Sequence, residues 1–135
     1  MLQPKRRTYR KDFRGRRMGM ATRGVEVSFG EYGLKALENA WLAAKQIEAA
    51  RRAITHFVKK GGKVWVRVFP DKPVTGRPAG MRMGRGKGEI DRYVAVIRRG
   101  KVLFEVAGIP ESVVTTAFAR AGAKLPFKTR MVKKD

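Results

Sequence analysis

The residues best suited to chemistry lie in one glycine-rich stretch, PVTGRPAGMRMGRGKG, at positions 73–88. This stretch contains five glycines and four basic residues, and it has no acidic residue. Glycine allows a backbone to approach a ligand closely, and Arg and Lys side chains donate hydrogen bonds to phosphate. The composition therefore favours phosphate binding, either in a small nucleotide or in a large polyanion.

The spacing of the glycines argues against a small-nucleotide site. A phosphate-binding loop of the form G-x-x-x-x-G-K-[ST] with its second glycine at Gly86 would need glycine where Met81 stands. A dinucleotide-binding turn, G-x-G-x-x-G, that begins at Gly84 would need glycine where Glu89 stands. We therefore expect a protruding loop over residues 70–89 that becomes ordered on RNA, because long loops are usually functional or disordered. A solvated loop that binds nothing is the alternative.

Positive charge is concentrated in four segments of the chain. The sequence has 32 Lys and Arg residues against 11 Asp and Glu, which gives a formal net charge of +21. Residues 1–23, 43–60, 71–88 and 124–135 together account for +20 of that charge. Because repulsion on this scale opposes compaction, a polyanionic partner is the economical explanation.

Three of the basic segments provide candidate RNA contacts outside the loop. In the N-terminal extension, Tyr9 and Phe13 could stack on bases between phosphate contacts. A helix face near residue 50 carries several cations and only one acid, Glu48. A floppy tail and a solvated helix face are the alternatives. The predicted RNA-binding residues are Lys5, Arg6, Arg7, Arg10, Lys11, Arg14, Arg16, Arg17, Arg23, Lys45, Arg51, Arg52, Lys59, Lys128, Lys133 and Lys134.

The sequence offers little for catalysis, metal binding or membrane insertion. It has no cysteine, and its only histidine is His56, which we expect to be partly buried beside Phe57. A metal site is therefore not expected, and nothing marks Ser28 or Ser112 as an activated nucleophile. We predict a protein that is not an enzyme and has no cofactor. No apolar run approaches the roughly 18 residues of a membrane span.

The hydrophobic pattern predicts the elements that must position these basic segments. Alternating apolar residues predict strands over 25–29, 34–38, 63–69 and 127–132, and a hairpin of strands 92–98 and 101–107. Helical spacing predicts one helix over 42–60 and another from Pro110 to Gly122. Trp65 and Phe69 share a face of the 63–69 strand, and we expect both to pack in the core.

The order of these elements predicts an α+β fold. We expect a single-domain two-layer sandwich with a mixed or antiparallel sheet, two helices, a long basic glycine-rich loop and an extended basic N-terminus. Residues 1–23 would be a basic RNA-binding extension. Residues 24–135 would form the domain, from which the loop 70–89 protrudes.

Six stretches resemble a known family, and they follow one another along almost the whole chain. They are MLQPKRRTYRK, VSFGEYGLKALENAW, QIEAARRAITHFVKKGGKVWVRVFPDKPVT, RMGRGKG, GKVLFEVAG and AGAKLPFKT. With these stretches the sequence resembles the bacterial-type large-subunit ribosomal protein L-sixteen family. The resemblance implies an α/β-hammerhead-like domain that binds 23S ribosomal RNA (rRNA) beside other large-subunit components. It also implies a cytoplasmic ribosome, with an organellar ribosome as the alternative.

The resemblance assigns roles to residues as well. It implies contact with tRNA in the A site, with the P site as a further candidate, and it directs the loop toward the peptidyl-transferase region. The basic residues named above would then bind rRNA. A free-standing basic RNA-binding factor or RNA chaperone is the alternative function. The loop residues that would approach tRNA are Lys72, Arg77, Met81, Arg82, Met83, Gly84, Arg85, Gly86, Lys87 and Gly88.

Overall fold

The computed structural model describes residues 2–7, 9–12, 15, 18–58, 61–76 and 87–134. In these residues the chain forms strands and two helices, which confirms the predicted α+β class. In chain order the elements are β1 (Tyr32–Ala36), β2 (Ala40–Ala43), α1 (Ala44–Phe57), β3 (Lys63–Val66), β4 (Lys72–Gly76), β5 (Glu89–Ile97), β6 (Val102–Ala107), α2 (Glu111–Gly122) and β7 (Thr129–Lys133).

The strands form two antiparallel sheets. The four-stranded sheet has the order β3-β6-β1-β7, and the three-stranded sheet has the order β2-β5-β4. The two helices pack against each other, and α1 also contacts β2, β3 and β5. One core joins these layers, with fully buried Phe104 of the larger sheet and Leu42 of the smaller sheet in the same cluster as Ile47 and Val114 of the helices.

Helix α1 was predicted from the local spacing of apolar residues, and its bounds differ from the prediction. The helical spacing that predicted α1 places Ile47, Ala50 and Ile54 in one apolar stripe, and all three are buried. Ala43 has no side-chain oxygen to cap the helix, so the Gln46 side chain instead accepts a hydrogen bond of 2.9 Å from the Ala43 N–H. The predicted span of 42–60 was too long, because the residues before Ala44 pair with β5 instead of continuing the helix.

The predicted hairpin of residues 92–98 and 101–107 is wrong. Strand β5 pairs with β2 and β4, whereas β6 pairs with β1 and β3, so the two strands belong to different sheets. The tight turn at Gly100 exists, with a φ of +98° that glycine accommodates without strain. Its N–H bonds to the carbonyl of Ala36 at 2.8 Å, so this turn carries the chain from one sheet to the other.

The predicted strand over residues 25–29 is also absent. The N–H groups of Ser28, Phe29 and Gly30 all point to one carboxylate oxygen of Glu105, at 2.9, 2.7 and 2.8 Å. Successive N–H groups of a strand point in opposite directions, so this convergence excludes a strand. The segment is an irregular turn that covers Glu105.

The loop 70–89 is not irregular throughout, contrary to the prediction. Strand β4 occupies residues 72–76 and pairs with β5, with Gly76 opposite Glu89 at the end of the ladder. The apolar alternation had missed this strand because it contains only one large apolar residue, Val74, beside a proline. The arms of the loop are therefore two paired strands, and residues 77–86 lie outside the described residues.

Candidate nucleic-acid interface

The described part of the N-terminal extension is attached to the domain. The Ala21 N–H donates to the carbonyl of Arg99 at 3.0 Å, and Arg98 Nε donates to the carbonyl of Met18 at 3.1 Å. Asn39 holds the same corner, because its side-chain oxygen accepts from the Arg99 N–H at 2.6 Å. These bonds place the end of the extension beside the last residues of β5.

Two basic segments that lie far apart in sequence meet in the structure. Lys11 Nζ donates to the carbonyl of Lys87 at 3.2 Å, and Lys87 Nζ donates to the carbonyl of Asp12. The Asp12 carboxylate is engaged at 2.8 Å by Arg7. The extension and the second arm of the loop therefore form one cationic surface, which we call the Lys11–Lys87 junction.

The basic face of α1 is partly neutralised within the helix. Glu48 accepts hydrogen bonds from Arg51 and, at 3.3 Å, from Arg52. The hydrogen bond from Arg51, with smaller contributions from its charge and from Arg52, lowers the pKa of Glu48 to about 2. The side chain of Arg52 remains 76% exposed, so its guanidinium can still reach a phosphate. Lys45 is exposed at the start of the same helix.

The C-terminal cations divide into different environments. Lys133 forms an ion pair with Glu111 at 2.9 Å, and the hydrogen bond of that pair raises the pKa of Lys133. Lys134 reaches the carbonyl of Ser28 at 3.5 Å. Lys128 is exposed. Lys128 precedes β7, whereas Lys133 and Lys134 lie at its other end, so these residues do not form a single cluster.

The remaining predicted residues fall into two groups. Lys72 is described, with its Nζ 4.7 Å from the centre of the Trp41 ring, and Gly88 lies beside β5. Lys5, Arg6, Arg10 and Arg23 are described as well. Those that lie outside the described residues are Arg14, Arg16, Arg17, Lys59, Arg77, Met81, Arg82, Met83, Gly84, Arg85 and Gly86.

An aromatic site escaped the sequence prediction, which had placed Trp65 and Phe69 in the core. Phe69 is 46% exposed, and Trp65 is half-buried against Phe29, with ring centres 6.3 Å apart and ring planes at 24°. The guanidinium carbon of Arg67 lies 4.9 Å from the centre of the Phe29 ring. The one sequence feature that could have indicated this site is Glu105, an acid inside the apolar run VLFEVA, because a buried charge requires partners. We call Phe29, Trp65 and Arg67 the Phe29 site.

The described part of the chain offers little support for metal binding, histidine chemistry or membrane insertion. No group of three or more His, Asp or Glu side chains there is arranged to hold a metal ion. His56 is exposed rather than partly buried, and its ring is nearly perpendicular to that of Phe57, with ring centres 5.4 Å apart. Among the described residues, no helix is both long and apolar enough to cross a membrane.

These features define a class: small, strongly basic α+β proteins whose cations are gathered on terminal segments, one helix and one loop. The chain belongs to the ribosomal protein L16p/L10e family, whose model matches residues 4–132. This match confirms the family predicted from the sequence.

Curated relatives match the chain over its full length. Large ribosomal subunit protein uL16 of Methylibium petroleiphilum is 55% identical over 135 residues, which cover 100% of this chain and 98% of the relative. The protein of the same name from Delftia acidovorans has the same identity and coverage. That of Albidiferax ferrireducens is 55% identical over 132 residues, which cover 98% of this chain and 96% of the relative.

Proposed function

We propose that this chain is a structural, non-catalytic constituent of the large ribosomal subunit and that it binds 23S rRNA. The observation that carries the proposal is the family match across residues 4–132, together with relatives that are named as large-subunit proteins. The charge distribution supports the same function, since the net charge of +21 is concentrated in segments that surround a nearly neutral domain.

Binding occurs mainly by neutralisation of phosphates. The planar guanidinium of Arg stays charged and pairs with two phosphate oxygens at once, whereas Lys acts as a point charge. The Lys11–Lys87 junction brings cations of the extension and of the loop to one surface, so a single RNA segment can contact both. The two-sheet domain provides the rigid support for these contacts.

The loop between β4 and β5 extends this function to tRNA. Strands β4 and β5 are paired as far as Gly76 and Glu89, so they hold both ends of the loop together at the edge of the three-stranded sheet. In our proposal the loop contacts tRNA in the A site, with the P site as a further candidate, near the peptidyl-transferase region. Lys72 and Lys87 flank this contact, and Arg82 lies within it.

Sedimentation tests the ribosomal function against a free-standing RNA-binding factor. The tagged full chain, expressed in a bacterium, should sediment with the large subunit and remain there after a moderate salt wash. A chain found mainly in the ribosome-free fraction would favour the alternative factor and contradict the proposal.

Salt dependence tests the binding mode. If about ten phosphates are neutralised, the logarithm of the affinity for a 23S rRNA transcript should fall against the logarithm of salt with a slope of about −7 to −9. Substitution of Lys11 and Lys87 together by Ala should reduce that slope by about 2, whereas Lys35→Ala, outside the four basic segments, should not change it. A wild-type slope near −2 would mean that most of the basic segments make no phosphate contact.

A further inference from the structure

We propose that the Phe29 site binds an unpaired base of the RNA by stacking. This inference rests on the proposed function, because it names the chemical group that one surface of the domain would recognise within rRNA. Phe29 is 60% exposed, the largest value among the exposed large apolar side chains that the structure describes in residues 24–135. An aromatic ring held in that position offers a planar surface on which any base can stack.

The backbone that carries Phe29 is rigidly held. Three successive N–H groups, those of Ser28, Phe29 and Gly30, donate to Glu105, whose side chain is fully buried. Arg67 donates to the other oxygen of the same carboxylate. Since the position of the ring is fixed before binding, a base that stacks there would order little of the protein.

Packing on the same turn shows that Phe29 is directed outward. Val27, two residues earlier, is 8% exposed, and it fills the space above Gly33, where a Cβ atom would lie 2.8 Å from Val27 Cγ2. Gly30 approaches β6 so closely that its own Cβ would lie 2.6 Å from the carbonyl oxygen of Val106. The turn therefore packs Val27 against Gly33 and Gly30 against β6, and it leaves the larger Phe29 side chain at the surface.

The charges around the ring favour a nucleotide over an apolar partner. Arg67 lies 4.9 Å from the ring centre, and Lys134 Nζ lies 3.5 Å from the carbonyl of Ser28. The carboxylate beneath the turn, Glu105, is already occupied by Arg67 and the three N–H groups, and the exposed residues Glu26 and Glu31 lie on either side of the turn. A stacked base would place its phosphates near cations, which is the combination that single-stranded RNA sites use.

Affinity measurements on matched variants test the stacking site. Phe29→Leu keeps an apolar side chain but removes the aromatic face, and Phe29→Trp keeps a planar ring. We expect Phe29→Leu to weaken binding to a 23S rRNA transcript about tenfold, Phe29→Trp to bind within about twofold of wild type, and neither to change the salt slope. Leu37→Ala, an apolar side chain that is 44% exposed elsewhere on the domain, is the control and should leave binding unchanged.

The outcomes separate the stacking site from the proposed function. If the wild-type chain does not bind the transcript, the proposed function fails; if it binds and Phe29→Leu binds equally well, only the stacking site fails. If Phe29→Leu binds the transcript as well as wild type but is retained less well in assembled subunits, Phe29 contacts a protein neighbour, and the stacking proposal is also overturned. Thermal unfolding should show that Phe29→Leu remains folded with only a small decrease in Tm, because the ring is largely exposed and loses only its contacts with Trp65 and Arg67.

Photocrosslinking gives a second measurement that does not depend on a variant. A 23S rRNA transcript that contains 5-iodouridine should crosslink to the peptide that carries Phe29 or to the one that carries Trp65, because an excited base reacts with an aromatic ring stacked on it. Crosslinks found only in other peptides would contradict the proposal.

Discussion

The guanidinium of Arg67 donates a hydrogen bond to the carboxylate of Glu105, and Glu105 is completely buried beneath the turn that contains Phe29. Residue 105 lies opposite Trp65 on one neighbouring strand and opposite Gly33 on the other, so it lies on an interior strand of the four-stranded sheet. The Glu105 carboxylate accepts hydrogen bonds from the N–H groups of residues 28–30, which have no strand partner. These hydrogen bonds fix the backbone from which the Phe29 ring faces solvent.

Removal of the Glu105 carboxylate should strongly destabilise the protein. Glu105→Ala leaves Arg67 without its partner and three N–H groups without an acceptor, and breaking a buried pair in this way costs about 3–5 kcal/mol. Urea denaturation of the full chain measures the change. The matched control is Asp91→Ala, which breaks an exposed ion pair with Arg92 and should cost at most about 1 kcal/mol. Equal effects of the two substitutions would contradict this account.

Acid should destabilise the protein through the same residue. Burial raises the pKa of Glu105, but the hydrogen bonds from Gly30, Arg67 and Phe29 together outweigh burial and hold that pKa below its usual value. The unfolded chain therefore takes up a proton first, and the stability contributed by Glu105 is lost as pH falls below about 4.3 toward the lower pKa of the folded state.

Comparison of wild type with Glu105→Gln measures this contribution. The free energy of unfolding of wild type should decline between about pH 5 and pH 3, and that of the variant, which is less stable at neutral pH, should decline less steeply. Urea denaturation at a series of pH values gives both curves. Parallel curves would show that Glu105 does not titrate differently in the folded and unfolded states.

Glu48 should limit the affinity of α1 for RNA. Its carboxylate binds Arg51 and Arg52 and would repel a phosphate that approaches them. We expect Glu48→Gln to strengthen binding to a 23S rRNA transcript and to make the salt slope steeper by about 1. Filter binding over a range of salt concentrations measures both effects. An unchanged affinity would place the Arg51 and Arg52 face away from the RNA.

The loop should be dispensable for folding but required for tRNA contact. Gly76 and Glu89 face each other at the end of the β4–β5 ladder, so a two-residue Asn-Gly turn in place of residues 77–88 can close the hairpin. This variant should unfold within about 1 kcal/mol of wild type, since the substitution lies outside the core. Subunits that contain it should bind A-site tRNA more weakly. Unfolding of the variant, or wild-type tRNA binding, would contradict the proposed loop function.

The sequence predicted those features that depend on neighbouring residues. Both helices were found because their apolar stripes repeat within one segment, and the stripe of Ile47, Ala50 and Ile54 is buried as expected. The hairpin of β5 and β6 was wrong because alternation identifies strands but not their partners. Strand β2 was missed because its apolar residues continue into the helical stripe of α1. The Lys11–Lys87 junction joins residues too far apart in the sequence for any local pattern to predict.

The sequence by itself determined the fold class, the family and the concentration of charge, because composition, local periodicity and motif order are properties of the chain alone. Only the tertiary structure decided which cations meet, which are neutralised by Glu48 or Glu111, and which aromatic ring faces solvent. The physical reason is that exposure and pairing depend on contacts between distant segments. Val27 and Phe29 have the same alternating pattern, and the fit against Gly33 and Glu105 buries the first and exposes the second.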